Sequence, residues 1–363
     1  MHKKLFLIHQ AVYPDFDGGK KITLGRIMDA VSQGLTVHVI FNNYNSVDTK
    51  IMREFFAKSN IRYKEIKSKK SGIKRFFSLF STKPTYEKFL VTDGMKNVID
   101  KYVKKNTIDI ISIETIFFFS AIENIKKSMV IEIVFHNHES IFFWDLATSS
   151  FSVYSIFYFL EYFKIKTLEK RIDVFASNQM DTLLVFLTKN DFDEYLSSNL
   201  YQSCRHLIND NKIIVPFSIN RKIRSVEPFF LFNGSLMFPP NLYAMRWLLS
   251  SKIGSSLETK IIVTGAYSQK IKRIMGQYPQ IDLAGYVLER ELKVFYEECV
   301  AVISPITKGS GVKVKNIEAQ LLGVDLICTK FSAQGLNVSA LTHVVDNNAD
   351  LFAKIMLEFS TNA

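Results

Sequence analysis

Residues 308–336 read KGSGVKVKNIEAQLLGVDLICTKFSAQGL, and the apolar run Val300-Ala301-Val302-Ile303-Ser304-Pro305 precedes them. The order this predicts is a buried strand, a Gly-rich loop, a helix, and a second apolar strand at Val324–Cys328. Gly309, Ser310 and Gly311 allow the backbone to approach a ligand closely and to aim several N–H groups outward. A helix opening just after them offers free N–H donors and the positive end of its dipole. Lys313 and Lys315 add point charges two residues apart, on different sides of a helix. Glu318, a turn further on, can accept hydrogen bonds from a ribose. A diphosphate with a sugar on each side fits this set, whereas a Gly-rich turn alone would be only a tight connection.

Outward from that stretch, strand-like and helix-like runs alternate along all 363 residues. Strands are expected at Leu5–Ile8, Thr36–Phe41, Ile108–Ile113, Val130–Phe135, Val174–Ser177 and Ile213–Val215. In the second half they are expected at Phe229–Phe232, Lys260–Val263, Ala301–Ser304, Asp325–Cys328 and His343–Val345. Several carry Ile and Val on both faces, as strands of a covered parallel sheet do. Helical patterns separate them, among them Ile22–Gln33, Asp93–Lys105, Leu242–Leu249, Gln269–Met275 and Glu289–Glu298. The class is therefore α/β. The chain is long enough for two cored domains, and the polar, basic stretch Ser218–Pro228 marks the boundary. The expected division is 1–222, 223–345, and a final helix within 346–363 that packs back toward the N-terminal domain.

The net charge of +11 favours anionic partners such as nucleotides, nucleic acid or an anionic membrane. No nucleic-acid motif accompanies the charge, which is concentrated in Arg62–Lys88: nine Lys or Arg against two acids, a net +7. Phe76 and Phe77 interrupt that run beside Lys69, Lys70, Lys74 and Arg75, a composition suited to an anionic membrane surface or to a solvated face with a core-facing Phe stripe. Cys204, Cys299 and Cys328 sit apart among apolar residues and read as buried thiols in a reducing compartment. No metal-ligand spacing is visible. Leu5–Ile8 is too short for a signal peptide, and Ile141–Phe163 is interrupted by Asp145 and Glu161, so no membrane span is expected. The default is a cytoplasmic protein, soluble or peripheral at the inner face of the membrane.

The C-terminal half resembles the donor domain of family 4 glycosyltransferases. The residues that carry the likeness are Phe232-Asn233-Gly234-Ser235 with Pro240-Asn241 and Trp247, then Thr264-Gly265, then Leu283-Ala284-Gly285-Tyr286-Val287. Pro305 to Gly311 with Lys315, Glu318-Ala319 and Gly323 follow, and Gln334-Gly335-Leu336 closes the series. The N-terminal half is similar in Pro14 with Gly18-Gly19, in Glu114 after a strand, in His136-Asn137-His138-Glu139, and in Leu168-Glu169, Asp173 and Asp191.

The resemblance implies a GT-B fold, two facing Rossmann-like domains with parallel sheets and a cleft between them. It implies a nucleoside diphosphate sugar held mainly by the C-terminal domain at Gly265, Tyr286, Val287, Gly309, Ser310, Gly311, Val312, Lys313, Lys315 and Glu318, with Gly18 and Gly19 nearby. His136 and His138 join Glu318 as candidate catalytic residues, with Glu114, Asn137 and Glu139 toward the acceptor. The reaction implied is sugar transfer with retention, without a metal or other cofactor, to a glycan or lipid-linked acceptor in bacterial surface-polysaccharide synthesis.

Two departures stand out. Gly311 takes the place of the first of the family's two glutamates, and Gly234-Ser235-Leu236-Met237-Phe238 lacks the usual Arg and Lys, leaving Lys313 and Lys315 to supply the charge. A catalytically inactive glycan- or nucleotide-binding relative and a basic nucleic-acid-binding protein are the alternatives.

Overall fold

The computed structural model describes residues 2–13, 18–43, 49–66, 81–125, 129–149, 153–179, 181–198, 205–208, 213–221, 227–309 and 311–361. The expectations placed on Ser310, on Cys204 and on Lys69, Lys70, Lys74, Arg75, Phe76 and Phe77 lie outside the described residues. The chain divides into two compact units, Met1–Ile214 with Ser310–Val312, and Val215–Gly309 with Lys313–Ala363. The division thus falls at Ile214, ahead of the polar stretch expected to carry it.

The first unit holds a seven-stranded parallel sheet: β1 (Lys3–Ile8), β2 (Thr36–Asn42), β3 (Arg62–Ile66), β4 (Ile110–Ile113), β5 (Val130–Phe135), β6 (Thr182–Phe186) and β7 (His206–Ile208). Its order is β3-β2-β1-β4-β5-β6-β7, so the winding reverses between β1 and β4. In β1, Leu5 and Leu7 join one core with Ile111, Ile113, Ile131 and Ile133, while Phe6 and Ile8 join another with Val37, Val39 and Phe41. That is the two-residue period of a strand covered on both faces.

The second unit holds β8 (Phe229–Asn233), β9 (Lys260–Thr264), β10 (Ile281–Gly285), β11 (Val302–Ser304), β12 (Leu326–Thr329) and β13 (Thr342–Val345). The order β10-β9-β8-β11-β12-β13 reverses between β8 and β11. Phe230, Phe232, Ile261 and Val263 pack on one face; Phe229, Leu231, Val302 and Leu326 pack on the other. Each unit is a doubly wound Rossmann-like layer, and such sheets bind ligands outside the carboxyl ends of their strands at the reversal.

Two expectations are corrected. Val174–Ser177 is not a strand: it ends the helix Val153–Asn178, in which Ile165, Leu168, Ile172 and Ala176 continue a helical burial period. Ile213–Val215 is irregular, and the neighbouring apolar run that does form a strand is Thr182–Phe186. The last helix, Ala349–Thr361, buries Phe352, Ala353 and Met356 with Met245, Leu248 and Ile327 in the second unit's own core, because its apolar stripe completes that layer. Gly18 and Gly19 open the helix Gly18–Ser32.

Candidate functional site

In the second unit, the reversal point gathers the residues that the Gly-rich stretch singles out. Gly309 adopts positive φ, +113°, as the open loop requires; Gly311, which the division assigns to the first unit, does so at +73°. Lys313 caps the helix Val314–Leu321, and its ammonium lies 4.8 Å from the centre of the Phe331 ring. Lys315 and Glu318 are both buried, at 9% and 2% exposure. The Lys315 chain runs back to the end of β8: its Nζ lies 3.7 Å from the Phe232 ring centre and donates to Asn241 Oδ1 at 3.1 Å. A Cβ on Gly234 would stand 2.9 Å from that Nζ and 2.8 Å from Asn241 Nδ2. The absence of a side chain at 234 is what admits the lysine. Burial, only partly opposed by the Glu318 charge, lowers the Lys315 pKa to about 7.

Glu318 Oε2 accepts from Asn233 Nδ2 at 3.1 Å and from Tyr296 OH at 3.0 Å. Thr264 Oγ1 in turn donates to Asn233 Oδ1 at 2.9 Å, which fixes the amide's orientation. Burial and the Glu318 charge push the Tyr296 hydroxyl well above its ordinary pKa, so it stays a donor. The network ties the carboxyl ends of β8 and β9 to two helices. Gly265, at φ +95°, follows directly; a Cβ there would meet the Ser235 backbone nitrogen at 2.6 Å. After β10, Tyr286 is 69% exposed and Val287 half-buried. Asn233, Asn241 and Tyr296 were not expected among the polar groups of this site. For Asn233 and Asn241 the signal was in the motif; Tyr296 lies far from it in sequence.

In the first unit the carboxyl ends of β4 and β5 carry two polar clusters. Glu114 is buried at 2% exposure and accepts from Arg26 Nε at 3.1 and 3.2 Å and from Ser112 Oγ at 2.8 Å. Arg26 also donates to Glu132 at 2.9 Å, and Lys4 donates to the same carboxylate at 2.7 Å. Burial opposes the Glu114 charge, but Arg26 outweighs it and holds the carboxyl at about 2. His136 Nε2 lies 3.6 Å from Glu114 Oε2, beyond hydrogen-bond length, and among the described residues this buried nitrogen has no hydrogen-bond partner. Glu114 is thus committed to Arg26 and backs His136.

The second cluster follows β5. Asn137 Nδ2 donates to Glu139 Oε1 at 3.4 Å, and burial pushes the Glu139 carboxyl up to about 7. His138 is 1% exposed, with Nε2 3.7 Å from Glu169 Oε1, so it faces inward. Glu169, itself fully buried, accepts from Ser140 N and Oγ at 3.2 and 2.9 Å. Tyr195 donates to Asp173, whose carboxyl burial raises to about 6. Of the two histidines, only His136 is left partly accessible.

No known family's sequence profile matches the chain. The fold, two parallel-sheet Rossmann-like units, is that of GT-B proteins. Sucrose-phosphate synthase of Thermosynechococcus elongatus matches all of this chain and 90% of its own, at TM-score 0.70 and 12% identity. A TarM variant of S. aureus, solved with UDP, α-GlcNAc-glycerol and fondaparinux, matches 99% of this chain and 93% of its own, at TM-score 0.68 and 11% identity. WaaG, a glycosyltransferase involved in lipopolysaccharide biosynthesis, matches 99% and 90%, at TM-score 0.60 and 12% identity. Among curated sequences, an uncharacterized 44.6 kDa protein in the cps region of Klebsiella pneumoniae is 26% identical over 239 residues. That match covers 62% of this chain and 58% of the relative.

Proposed function

We propose that the chain is a retaining glycosyltransferase of family 4. It moves a sugar from a nucleoside diphosphate sugar to a hydroxyl of a glycan or lipid-linked acceptor in bacterial surface-polysaccharide synthesis. The observation that carries this reading is the convergence, at the reversal point of the second sheet, of a buried cation, a helix N-terminus behind a Gly-rich loop, and a buried carboxylate. Lys315 and the loop N–H groups, with Lys313, neutralise the departing diphosphate. Glu318, oriented by Asn233 and Tyr296, receives the ribose. Tyr286 and Val287 flank the base, and no metal or other cofactor is called on.

In the first unit, the helix N-terminus at Gly18-Gly19 and the cluster at the end of β5 receive the sugars. His136 orients the acceptor or stabilises positive charge on the sugar ring, with Asn137 and Glu139 beside it; His138 and Glu114 act behind these groups. The acceptor hydroxyl attacks on the face from which diphosphate leaves, and the leaving oxygen takes its proton. The GT-B neighbours, UDP bound in the TarM variant, and the cps-region relative support this reading. An inactive binding relative shares the donor site but not the turnover.

Thermal stabilisation against a panel of nucleoside diphosphates and their sugars tests it, on the wild type and Glu318→Gln. A selective shift that the variant loses, followed by transfer of labelled sugar to a glycan acceptor, is the expected result. No shift with any nucleotide overturns the reading; a shift without transfer or hydrolysis leaves the inactive relative.

A further inference from the structure

The helix Val153–Asn178, packed with Glu139–Ser149 in a hairpin, is apolar on two sides: Ile165, Leu168, Ile172 and Ala176 enter the core, and a second apolar set faces outward. The acidic side chains of the longer helix turn inward: Glu161, Glu169 and Asp173 are 1%, 0% and 1% exposed. The buried Glu161 accepts from Thr85 N and Oγ1 at 2.8 and 2.9 Å and from Lys164 Nζ at 2.8 Å. Apolar side chains take the outside instead. Ile156, Phe159, Leu160 and Phe163 are 65%, 42%, 44% and 52% exposed. Their spacing, i, i+3, i+4 and i+7, puts them on one face.

Trp144 of the shorter helix, 42% exposed, extends that face, its ring 5.9 Å from Phe159, which lies 4.9 Å from Phe163. Further along the same face stands Lys170, exposed. Exposed Lys88 and Tyr86 lie on the short helix Thr85–Leu90, which Thr85 fixes to Glu161. A water-facing helix would put its acids out and its aromatics in. Here the three acids of the longer helix are buried and Lys170 is exposed; Asp145, next to Trp144, is half-buried.

From this exposed apolar stripe we infer that the outer face of the hairpin, Ile156, Phe159, Leu160 and Phe163 with Trp144, docks onto an anionic lipid surface. The helix lies along the headgroups with its aromatic rings at the acyl boundary, and Lys170 and Lys88 reach lipid phosphates. Among the described residues no helix is long and apolar enough to cross a membrane, so the mode is adsorption in the plane. The net charge of +11 acts in the same direction. The inference is independent of the donor site and stands or falls separately from it.

The test is co-sedimentation of the full chain with vesicles of phosphatidylcholine and phosphatidylglycerol, against phosphatidylcholine alone. Wild type is compared with Ile156→Asp/Leu160→Asp, two exposed positions whose replacement leaves the core untouched. Quenching of Trp144 by brominated acyl chains is read alongside, with Trp144→Phe as the control. The expected result is binding to the anionic vesicles, quenching that Trp144→Phe abolishes, and ~tenfold or greater weakening in the double variant at unchanged melting temperature. Failure of the wild type to bind, or equal binding by the double variant, overturns the inference. So does a wild-type dimer in solution that the double variant dissociates, because the face would then be covered by a second copy.

Discussion

Replacing Lys315 with methionine is expected to remove a pH dependence that this lysine writes into folding and into nucleotide binding. Burial lowers its pKa from an ordinary 10.5 to about 7. Between these two values the folded chain holds fewer protons than the unfolded one, so stability rises with pH across that window. From pH 6 to pH 9 the cost of burying the protonated lysine falls from about 4.7 to about 2 kcal/mol, a relief of roughly 2.5 kcal/mol. Methionine fits the slot beside Phe232 and carries no proton, so the wild-type-minus-variant difference in unfolding free energy should change by that amount. At about 2–4 °C per kcal/mol, the gap between the two melting temperatures shifts by roughly 5–10 °C over the range. Diphosphate binding reverses the preference, since the anion favours the ammonium form. Wild-type nucleotide affinity should therefore fall up to ~tenfold per pH unit above 7, with proton uptake visible by calorimetry in buffers of different ionisation enthalpy. The variant should bind weakly and without that slope. A difference in stability that does not vary with pH would refute the buried-cation account.

Gly234→Ala places a methyl within 3 Å of Lys315 Nζ and Asn241 Nδ2. Displacing these flexible ends should weaken nucleotide binding ~tenfold, about 1.4 kcal/mol, by calorimetry, with little change in melting temperature. Tyr296→Phe removes one donor from the buried Glu318 and should cost about 1–3 kcal/mol in urea unfolding. Arg26→Met leaves Glu114 and Glu132 without their shared cation, and a loss of about 3–5 kcal/mol is expected in the same assay. Because Arg26 depresses Glu114 to about 2, its contribution of about 3 kcal/mol is present above pH 4.5 and lost as pH falls toward 2. The Arg26→Met variant should lack that acid-sensitive step in a pH titration of stability.

Much of the architecture was legible in the pattern of apolar runs. Strands β1, β2, β5, β8, β9, β11 and β12 are covered on both faces, and uninterrupted Val, Ile, Leu and Phe mark them in any context. Both edge strands of the first sheet escaped because they are polar. Arg62–Ile66 has its first three residues exposed and reads as a solvated basic run, and His206–Ile208 is exposed throughout. Val174–Ser177 misled because four apolar-rich residues fit a strand and a helix equally well. The burial of Ile165, Leu168, Ile172 and Ala176 over three turns decides for the helix.

The sequence by itself determined the strand–loop–helix order around Gly309, the charges at Lys313 and Lys315, and the carboxylate at Glu318, because these depend on residue type and local spacing. Tertiary structure alone decided what each of them touches. Lys315 reaches Gly234 and Asn241 from more than 70 residues away, and Glu114 is claimed by Arg26 from 88 residues away. It also turned Glu161 inward and Phe163 outward on one helix. Partners of this kind meet only through the winding of each sheet, and burial, which sets their charge, has no signature in local spacing.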